Sequence, residues 1–221
     1  MTKIVPIVLT EYQADIYNTQ NRIVVPTGAA GVGTTWGLLF KAFKEANEGK
    51  VVTFIGGSEV TLNKEGGLFS EATKVAGIFN AKVSQTSRII SVGDGKVKFI
   101  GNDVEFDRVR GLSTELVIFD HIKSQELLQY FLMKSSQVII GMHFYNIMES
   151  DKWHWLQKMG IVECDESGTP IKFADFVHHI SCKQSDGFKW KGRDKYLKWF
   201  ETNQTYDMQK LTVSDFPDWK F

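Results

Sequence analysis

A glycine-rich segment between an apolar run and a helical pattern constrains this chain more than any other feature. Residues 24–35 read Val-Val-Pro-Thr-Gly-Ala-Ala-Gly-Val-Gly-Thr-Thr and lead into Trp36-Gly37-Leu38-Leu39-Phe40. The pattern predicts a strand, a tight loop and the start of a helix. The spacing is that of the phosphate-binding loop G-x-x-x-x-G-K-[ST], whose backbone N–H groups surround phosphate oxygens at a helix N-terminus. The position of its lysine, which neutralises the terminal phosphates, is held by Thr34.

Strand-like apolar runs alternate with helical patterns along the chain, which is typical of a mostly parallel sheet covered by helices. We predict an α/β fold of the phosphate-loop NTPase kind, as a single domain over residues 1–221 with a less regular C-terminal third. A β-hairpin is inserted around the turn Gly93-Asp94-Gly95. The predicted strands are 23–25, 50–55, 88–92, 96–100, 115–119, 137–140 and 173–182. The predicted helices are 35–47, 70–79, 124–134 and 194–201.

Composition excludes several classes of protein. The chain has 26 lysines and arginines and 26 aspartates and glutamates, so no overall basic field draws it onto nucleic acid, and any DNA contact must be local. Cys164 and Cys182 are too few and too far apart for a disulfide scaffold, so we expect both to be reduced. The sequence shows neither a signal peptide nor an apolar run that could span a bilayer, which predicts a cytoplasmic protein with no membrane partner.

A second element typical of nucleotide sites follows the loop. Residues 116–120 read Leu-Val-Ile-Phe-Asp, an apolar strand that ends in a carboxylate. In phosphate-loop ATPases this carboxylate holds Mg²⁺, and a glutamate that activates the attacking water usually comes next. Here the next residue is His121.

The order and spacing of these segments resemble the ATPase domain of the large terminase subunit, the motor that pumps DNA into tailed phage and herpesvirus capsids. The resemblance runs from about Leu9 to Phe188. It rests on Leu-Thr-Glu-Tyr-Gln at 9–13, the glycine loop, Phe-Asp-Arg-Val-Arg-Gly at 106–111 and the strand to Asp120. It implies ATP and Mg²⁺ as cofactors, and DNA, a capsid portal or other terminase subunits as partners. It also implies a homo-oligomer that acts in viral DNA packaging in the host cytoplasm.

The resemblance also implies roles for individual residues. Gln13 would read adenine, Arg110 would stabilise transition-state charge in a neighbouring subunit, and His121 replaces the catalytic glutamate. The coupling motif of the family corresponds to Gly-Met-His at 141–143, where Met replaces the usual small hydroxyl residue. The family's nuclease domain has no expected counterpart within 1–221. The loop residues are Gly28, Gly31, Gly33 and Thr34, and the Mg²⁺ ligands are Thr35 and Asp120.

These departures leave two functions open. A positioned general base contributes roughly 10²–10⁴-fold, and charge stabilisation of the transferring phosphoryl group often contributes more. With Thr34 and His121 in the two key positions, we predict a terminase-like protein that hydrolyses ATP poorly or not at all. The alternative is an inactive pseudo-ATPase that serves as a binding or scaffolding module for a packaging motor, a capsid or DNA. Cations from elsewhere that would rescue hydrolysis are Arg22, Lys64 and Arg110.

Two further segments have competing interpretations. His178 and His179 lie in a predicted strand and point to opposite faces, which favours structural histidines over a shared metal. The segment 188–199 interleaves basic and aromatic residues, which is compatible with nucleic-acid contacts. An amphipathic helix that buries Tyr196 or Trp199 is the favoured interpretation.

Overall fold

A computed structural model describes residues 9–28, 32–143, 150–166 and 168–182. The helices are α1 (Glu11–Asn18), α2 (Thr34–Asn47), α3 (Leu68–Ala76), α4 (Gln125–Lys134) and α5 (Ser150–Lys158). The strands are β1 (Ile23–Gly28), β2 (Val51–Gly56), β3 (Lys82–Ser84), β4 (Ile89–Val92), β5 (Gly95–Ile100), β6 (Leu116–Asp120), β7 (Gln137–His143), β8 (Val162–Cys164), β9 (Pro170–Phe173) and β10 (Val177–Cys182).

Eight of these strands form one sheet in the order β10-β1-β7-β6-β2-β5-β4-β3. The pairs from β10 to β5 are parallel, and β5, β4 and β3 pair antiparallel. Strands β8 and β9 form a separate antiparallel pair. The predicted mostly parallel α/β fold and its inserted hairpin are therefore confirmed. That the whole of 1–221 is one domain stays a prediction.

The sheet is covered on both sides, which explains its continuous apolar strands. Every residue of β1 and of β6 is buried. One core packs α1, α2 and α3 on one face, with Leu38 and Phe43 fully buried. The other face packs α4, α5 and the segment 104–112, with Phe131 and Leu156 fully buried. Strands buried on both faces read as unbroken apolar runs rather than alternating ones.

Local signals set most helix boundaries. Ser124 caps α4 by accepting a hydrogen bond from the backbone N–H of Leu127, at 3.2 Å. Gly49, with φ of +94°, follows the end of α2 in the left-handed conformation that favours glycine. The predicted helix 70–79 forms as α3 followed by a 3₁₀ turn over Gly77–Phe79.

One predicted strand differs from the structure, one strand of the structure is missing from the prediction, and one predicted helix lies outside the described ranges. The single strand predicted at 173–182 is two strands, because a turn closed by Val177 N–H and the Ala174 carbonyl (2.9 Å) separates β9 from β10. Strand β3 is absent from the predicted strands, since its three residues are all exposed and a single apolar residue, Val83, gives no alternating pattern. The helix predicted at 194–201 and the basic-aromatic segment 188–199 lie outside the described residues. Among the helices of the described ranges, none combines the length and apolarity that a bilayer crossing requires.

A buried cluster of charges fixes α2 against its neighbours. The Lys41 ammonium donates to the Glu45 carboxylate and to the carbonyl of Thr19, each at 2.5 Å, and both charged side chains are fully buried. Lys50, at the start of β2, also contacts the Glu45 carboxylate. Burial lowers the pKa of Lys41. Burial alone would raise the pKa of Glu45, but the hydrogen bonds from Lys41 and Lys50 outweigh it and lower that pKa.

Candidate functional site

The glycine loop and the aspartate strand meet at one edge of the sheet. Strands β1, β7, β6 and β2 are parallel, so their carboxyl ends lie together. Gly28 pairs with His143 on one side and Cys182 on the other. Asp120 lies level with Gly141 and Gly56. Because β7 lies between β1 and β6, the loop and the aspartate sit on either side of its C-terminal end.

The loop joins β1 directly to the N-terminus of α2. Gly33 precedes the first helical residue with φ of +84°, and no side chain caps the helix there. Within the described residues, the N-cap position thus offers the first backbone N–H groups of α2 no side-chain acceptor, as a phosphate-binding helix requires. Gly28 permits the close return of the chain, since a Cβ there would lie 2.6 Å from Val32 Cγ2. Gly31 falls outside the described residues.

Thr35 and Asp120 contact each other at the start of α2. The Thr35 hydroxyl donates to Asp120 Oδ2 at 2.9 Å, although 85 residues separate them in sequence. The second carboxylate oxygen, Oδ1, is buried and has no hydrogen-bond partner in the described part of the chain. His121 Nε2 lies 3.6 Å from it. A buried carboxylate oxygen beside a hydroxyl is the hard-oxygen environment that Mg²⁺ prefers, so these residues fit the predicted metal role.

Thr34 occupies the position of the missing lysine and contacts a tyrosine that the sequence did not single out. Its hydroxyl lies 3.1 Å from the Tyr12 hydroxyl on α1. Both side chains are buried. Burial raises the pKa of Tyr12 well above its usual value, so the phenol stays neutral. The structure therefore places a neutral hydroxyl pair beside the loop. In the sequence, the position of Tyr12 next to Gln13 on the same short helix is the signal that could have indicated its place near the loop.

Gln13 ties α1 to the glycine loop. Its side-chain amide donates from Nε2 to the carbonyl of Gly33 at 3.1 Å, and its Oε1 accepts from the backbone N–H of Thr10 at 3.1 Å. The second contact completes a capping box at the start of α1. Adenine recognition by Gln13 stays a prediction and would use the second N–H of the same amide.

His121 is held in an unusual backbone conformation. Its φ of +64° is left-handed, which is uncommon for a residue other than glycine and costs about 1–3 kcal/mol. The ring is about one-third exposed and faces Asp120. Strain of this kind clusters at functional sites, and here it lies next to the predicted metal ligand.

The predicted external cations lie in separate places. Arg110 forms an exposed ion pair with Asp107 at 3.3 Å and lies over the Phe106 ring, 5.4 Å from its centroid. Arg22 precedes β1, at the opposite end of that strand from the loop, and donates to the carbonyl of Leu132 at 3.1 Å. Lys64 is exposed in the segment that follows β2. That Arg110 stabilises transition-state charge in the nucleotide site of a neighbouring subunit stays a prediction.

His178 and His179 have separate partners, as structural histidines would. His178 Nδ1 lies 3.0 Å from the Thr19 hydroxyl. His179 Nε2 lies 2.8 Å from the Thr27 hydroxyl, and its ring stacks on Phe173 with centroids 3.9 Å apart. Within the described ranges, no group of three or more His, Cys, Asp or Glu residues could hold a metal. Cys164 is half-buried and Cys182 is buried, and no disulfide joins these two described residues.

The His179 environment predicts a pH dependence of stability. Burial, with a smaller effect of His178, lowers the pKa of His179 below its usual 6.5. The unfolded chain therefore binds this proton first, so the stability is present above pH 6.5 and is lost as the pH falls below it. Urea unfolding at pH 7.5 and 5.5 should show a smaller loss in His179→Gln than in the unmodified protein. The exposed His154 provides the control, since His154→Gln should retain the full loss.

Comparison with solved structures shows the fold of phage large terminases. The large terminase of a thermophilic bacteriophage aligns with a TM-score of 0.60 over 90% of this chain and 50% of its own, at 10% identity. The ATPase domain of the Thermus phage P74-26 large terminase aligns with a TM-score of 0.58 over 91% of this chain and 89% of its own, at 12% identity. The HK97 bacteriophage large terminase aligns with a TM-score of 0.51 over 95% of this chain and 46% of its own, at 12% identity.

These alignments confirm the predicted resemblance at the level of the fold. The chain spans about half the length of the first of these terminases, which has been solved in complex with ADP and with ATP-gamma-S. Neither a protein-family model nor a curated protein matches the sequence.

Proposed function

We propose that this protein is a terminase-like ATPase module of viral DNA packaging, whose nucleotide site binds Mg²⁺-ATP but hydrolyses it slowly or not at all. The observation that carries the proposal is the contact between Thr35 and Asp120, with the buried Asp120 Oδ1 left without a hydrogen-bond partner in the described part of the chain. The shared fold with phage large terminases, one of them solved with ADP and with ATP-gamma-S, supports the same function.

Each part of the site would have one task. The backbone of Gly28 to Gly33 and the N-terminus of α2 would bind the phosphates, and Gln13 would contact the adenine. Thr35 and Asp120 would hold Mg²⁺, which supplies charge stabilisation to the phosphate oxygens. His121 would accept a proton from the attacking water. Arg110 of a neighbouring subunit would supply the cation that Thr34 does not, which requires a homo-oligomer.

Nucleotide binding tests this proposal directly. Equilibrium titration with a fluorescent ATP analogue should show saturable binding that requires Mg²⁺. Asp120→Asn should weaken the Mg²⁺-dependent binding at least about tenfold, because it removes the charge that holds the metal. Asp175→Asn is the matched control, since Asp175 is exposed and follows β9. Equal binding by both variants, or binding that does not need Mg²⁺, would contradict the assignment of Asp120.

A second function is favoured by the neutral environment of Thr34. The loop contains no lysine or arginine, and the Thr34 hydroxyl is held by the neutral Tyr12 phenol. A pseudo-ATPase that scaffolds a packaging motor, a portal or DNA would tolerate this arrangement. It predicts neither nucleotide binding nor phosphate release. Binding without measurable release supports the first proposal in its slow form.

A further inference from the structure

The antiparallel strands β3, β4 and β5 pack one face on the core and present the other face to solvent. Strands β3, β4 and β5 bury Ile90, Val92, Val97 and Phe99 in the core beside α2 and α3. Side chains alternate along a strand, so the intervening residues lie on the other face. In register, these are the row Lys82, Ser91 and Lys96 and the row Ser84, Ile89 and Lys98. Lys82, Ser84, Ser91 and Lys96 are exposed, and Ile89 and Lys98 are half-buried.

This surface, which we call the basic face, is defined by Lys82, Arg88, Lys96, Lys98 and Arg108. Arg88 is paired with Glu59. Within the described residues, the other four cations have no acidic side chain within 4.0 Å. The two strand rows of the basic face carry three lysines and no acidic residue, a local excess of positive charge in a chain whose total charges balance. Such an excess attracts polyanions.

A cavity lies at the end of the basic face. Its volume is about 200 Å³, and its lining includes Arg88, Lys98 and Arg108 together with the hydroxyls of Thr86 and Ser87. Glu59 also lines it, but its carboxylate is already engaged by Arg88 and by the backbone N–H of Gly101, at 2.6 Å from the latter. Arg88 is engaged by Glu59 and the Ser87 hydroxyl donates to Ser84 Oγ at 2.7 Å, so Lys98 and Arg108 are the cations of this lining that would donate to phosphate oxygens.

The spacing and chemistry of the basic face favour double-stranded DNA. Lys96 and Lys98 start about 7 Å apart along a strand, and Lys82 and Lys96 start about 10 Å apart across two strand spacings. Lysines at these separations can each contact a different phosphate along a DNA strand. Single-strand binders add aromatic side chains for base stacking, and neither row of this face contains one.

We propose that the basic face binds the phosphate backbone of double-stranded DNA without reading its sequence. This inference rests on the proposed role in DNA packaging and locates one contact surface for the DNA. It is separate from the glycine loop on β1 and α2, because Lys82, Lys96 and Lys98 lie on β3 and β5, and Arg88 and Arg108 lie in the segments that flank β4 and precede β6.

The test compares two double variants of equal charge. Lys82→Gln/Lys96→Gln neutralises the basic face, and Lys134→Gln/Lys158→Gln neutralises two exposed lysines at the ends of α4 and α5. Fluorescence anisotropy with a labelled mixed-sequence duplex is measured from about 50 to 200 mM NaCl. Loss of two phosphate contacts should reduce the slope of log K against log salt by about 1.8 and weaken binding about eightfold per contact at about 0.1 M salt.

The outcomes separate the alternatives. Equal duplex binding by the two double variants, or no duplex binding by the unmodified protein, overturns the proposal. Stronger binding to single-stranded than to duplex DNA overturns it too, as does binding to polyglutamate without binding to the duplex, which would assign the basic face to an acidic protein. Thermal unfolding checks folding, and Arg108→Gln, in an exposed segment, serves as a second variant with the same expected direction. Mg²⁺-ATP analogue binding, measured in the same variants, reports separately on the proposed nucleotide function.

Discussion

Replacing Thr34 by Lys and His121 by Glu in one chain is expected to raise ATP hydrolysis at least about 100-fold over the unmodified protein. The lysine would place a cation where the buried hydroxyl pair of Thr34 and Tyr12 now lies. The glutamate would supply the family's usual base next to Asp120. Each tenfold gain corresponds to about 1.4 kcal/mol of barrier, so two restored groups are sufficient for this increase. Steady-state phosphate release with saturating Mg²⁺-ATP measures it.

The single variants and a dead version of the double variant serve as controls. Thr34→Lys and His121→Glu alone should each give a smaller gain, and adding Thr35→Ala should return the rate to background. Glutamate at position 121 must adopt a positive φ or move the backbone, so thermal unfolding is recorded for each variant. A folded double variant that binds nucleotide but releases phosphate no faster than the unmodified protein would show that the loop frame itself does not support catalysis.

Glu45→Gln is expected to lower the free energy of unfolding by about 3–5 kcal/mol. The carboxylate is fully buried and receives hydrogen bonds from Lys41 and Lys50. Its neutralisation leaves the Lys41 ammonium buried with only the Thr19 carbonyl and a neutral amide as partners. A buried charge without a counter-charge is among the largest single destabilising changes. Urea unfolding followed by circular dichroism measures the loss.

Two further variants test whether the unpaired Lys41 charge causes the loss of stability in Glu45→Gln. Glu48→Gln, just after α2, changes an exposed carboxylate and should shift stability by less than about 0.5 kcal/mol. Lys41→Met/Glu45→Leu removes both fully buried charges and should be far less destabilising than Glu45→Gln, because the Lys50 ammonium that loses its partner is partly exposed to water. If the double variant lost as much stability as the single one, packing rather than charge would account for the effect.

The same carboxylate predicts acid sensitivity. The two lysine hydrogen bonds outweigh burial and lower the pKa of Glu45 in the folded chain. The unfolded chain therefore binds this proton first as the pH falls, so the contribution is present above the ordinary glutamate pKa and is lost on acidification. The stability of Glu45→Gln should fall less between pH 6 and pH 3 than that of the unmodified protein.

Sequence patterns predicted the elements that are buried on both faces. Strands β1 and β6 and helix α2 were located because their apolar runs and the intervening glycines have few alternative structures. Strand β3 was missed because all of its residues are exposed, so its pairing with β4 depends on tertiary contacts. The same limit applies to Lys41, whose helical position was predicted while its burial depends on where the carbonyl of Thr19 lies in the fold.

In the candidate site, too, the sequence predicts some features while others depend on the tertiary fold. The motifs named Thr35 and Asp120 as a pair, but only the sheet order brings their oxygens to 2.9 Å across 85 residues. Tyr12 was passed over because a tyrosine on a short helix has no distinctive spacing. The left-handed backbone of His121 was also unforeseen, since nothing in a run of apolar residues signals a positive φ at the residue that follows it.

The Gln13 amide couples the start of α1 to the conformation of the glycine loop. One end of this amide holds the Gly33 carbonyl, and the other holds the N–H of Thr10. A ligand that turned the Gly33 peptide on binding to the glycine loop would break the first hydrogen bond and free the Gln13 amide. The second hydrogen bond, at the start of α1, would then weaken as well. Faster hydrogen exchange at the Thr10 N–H would therefore report that the loop is occupied.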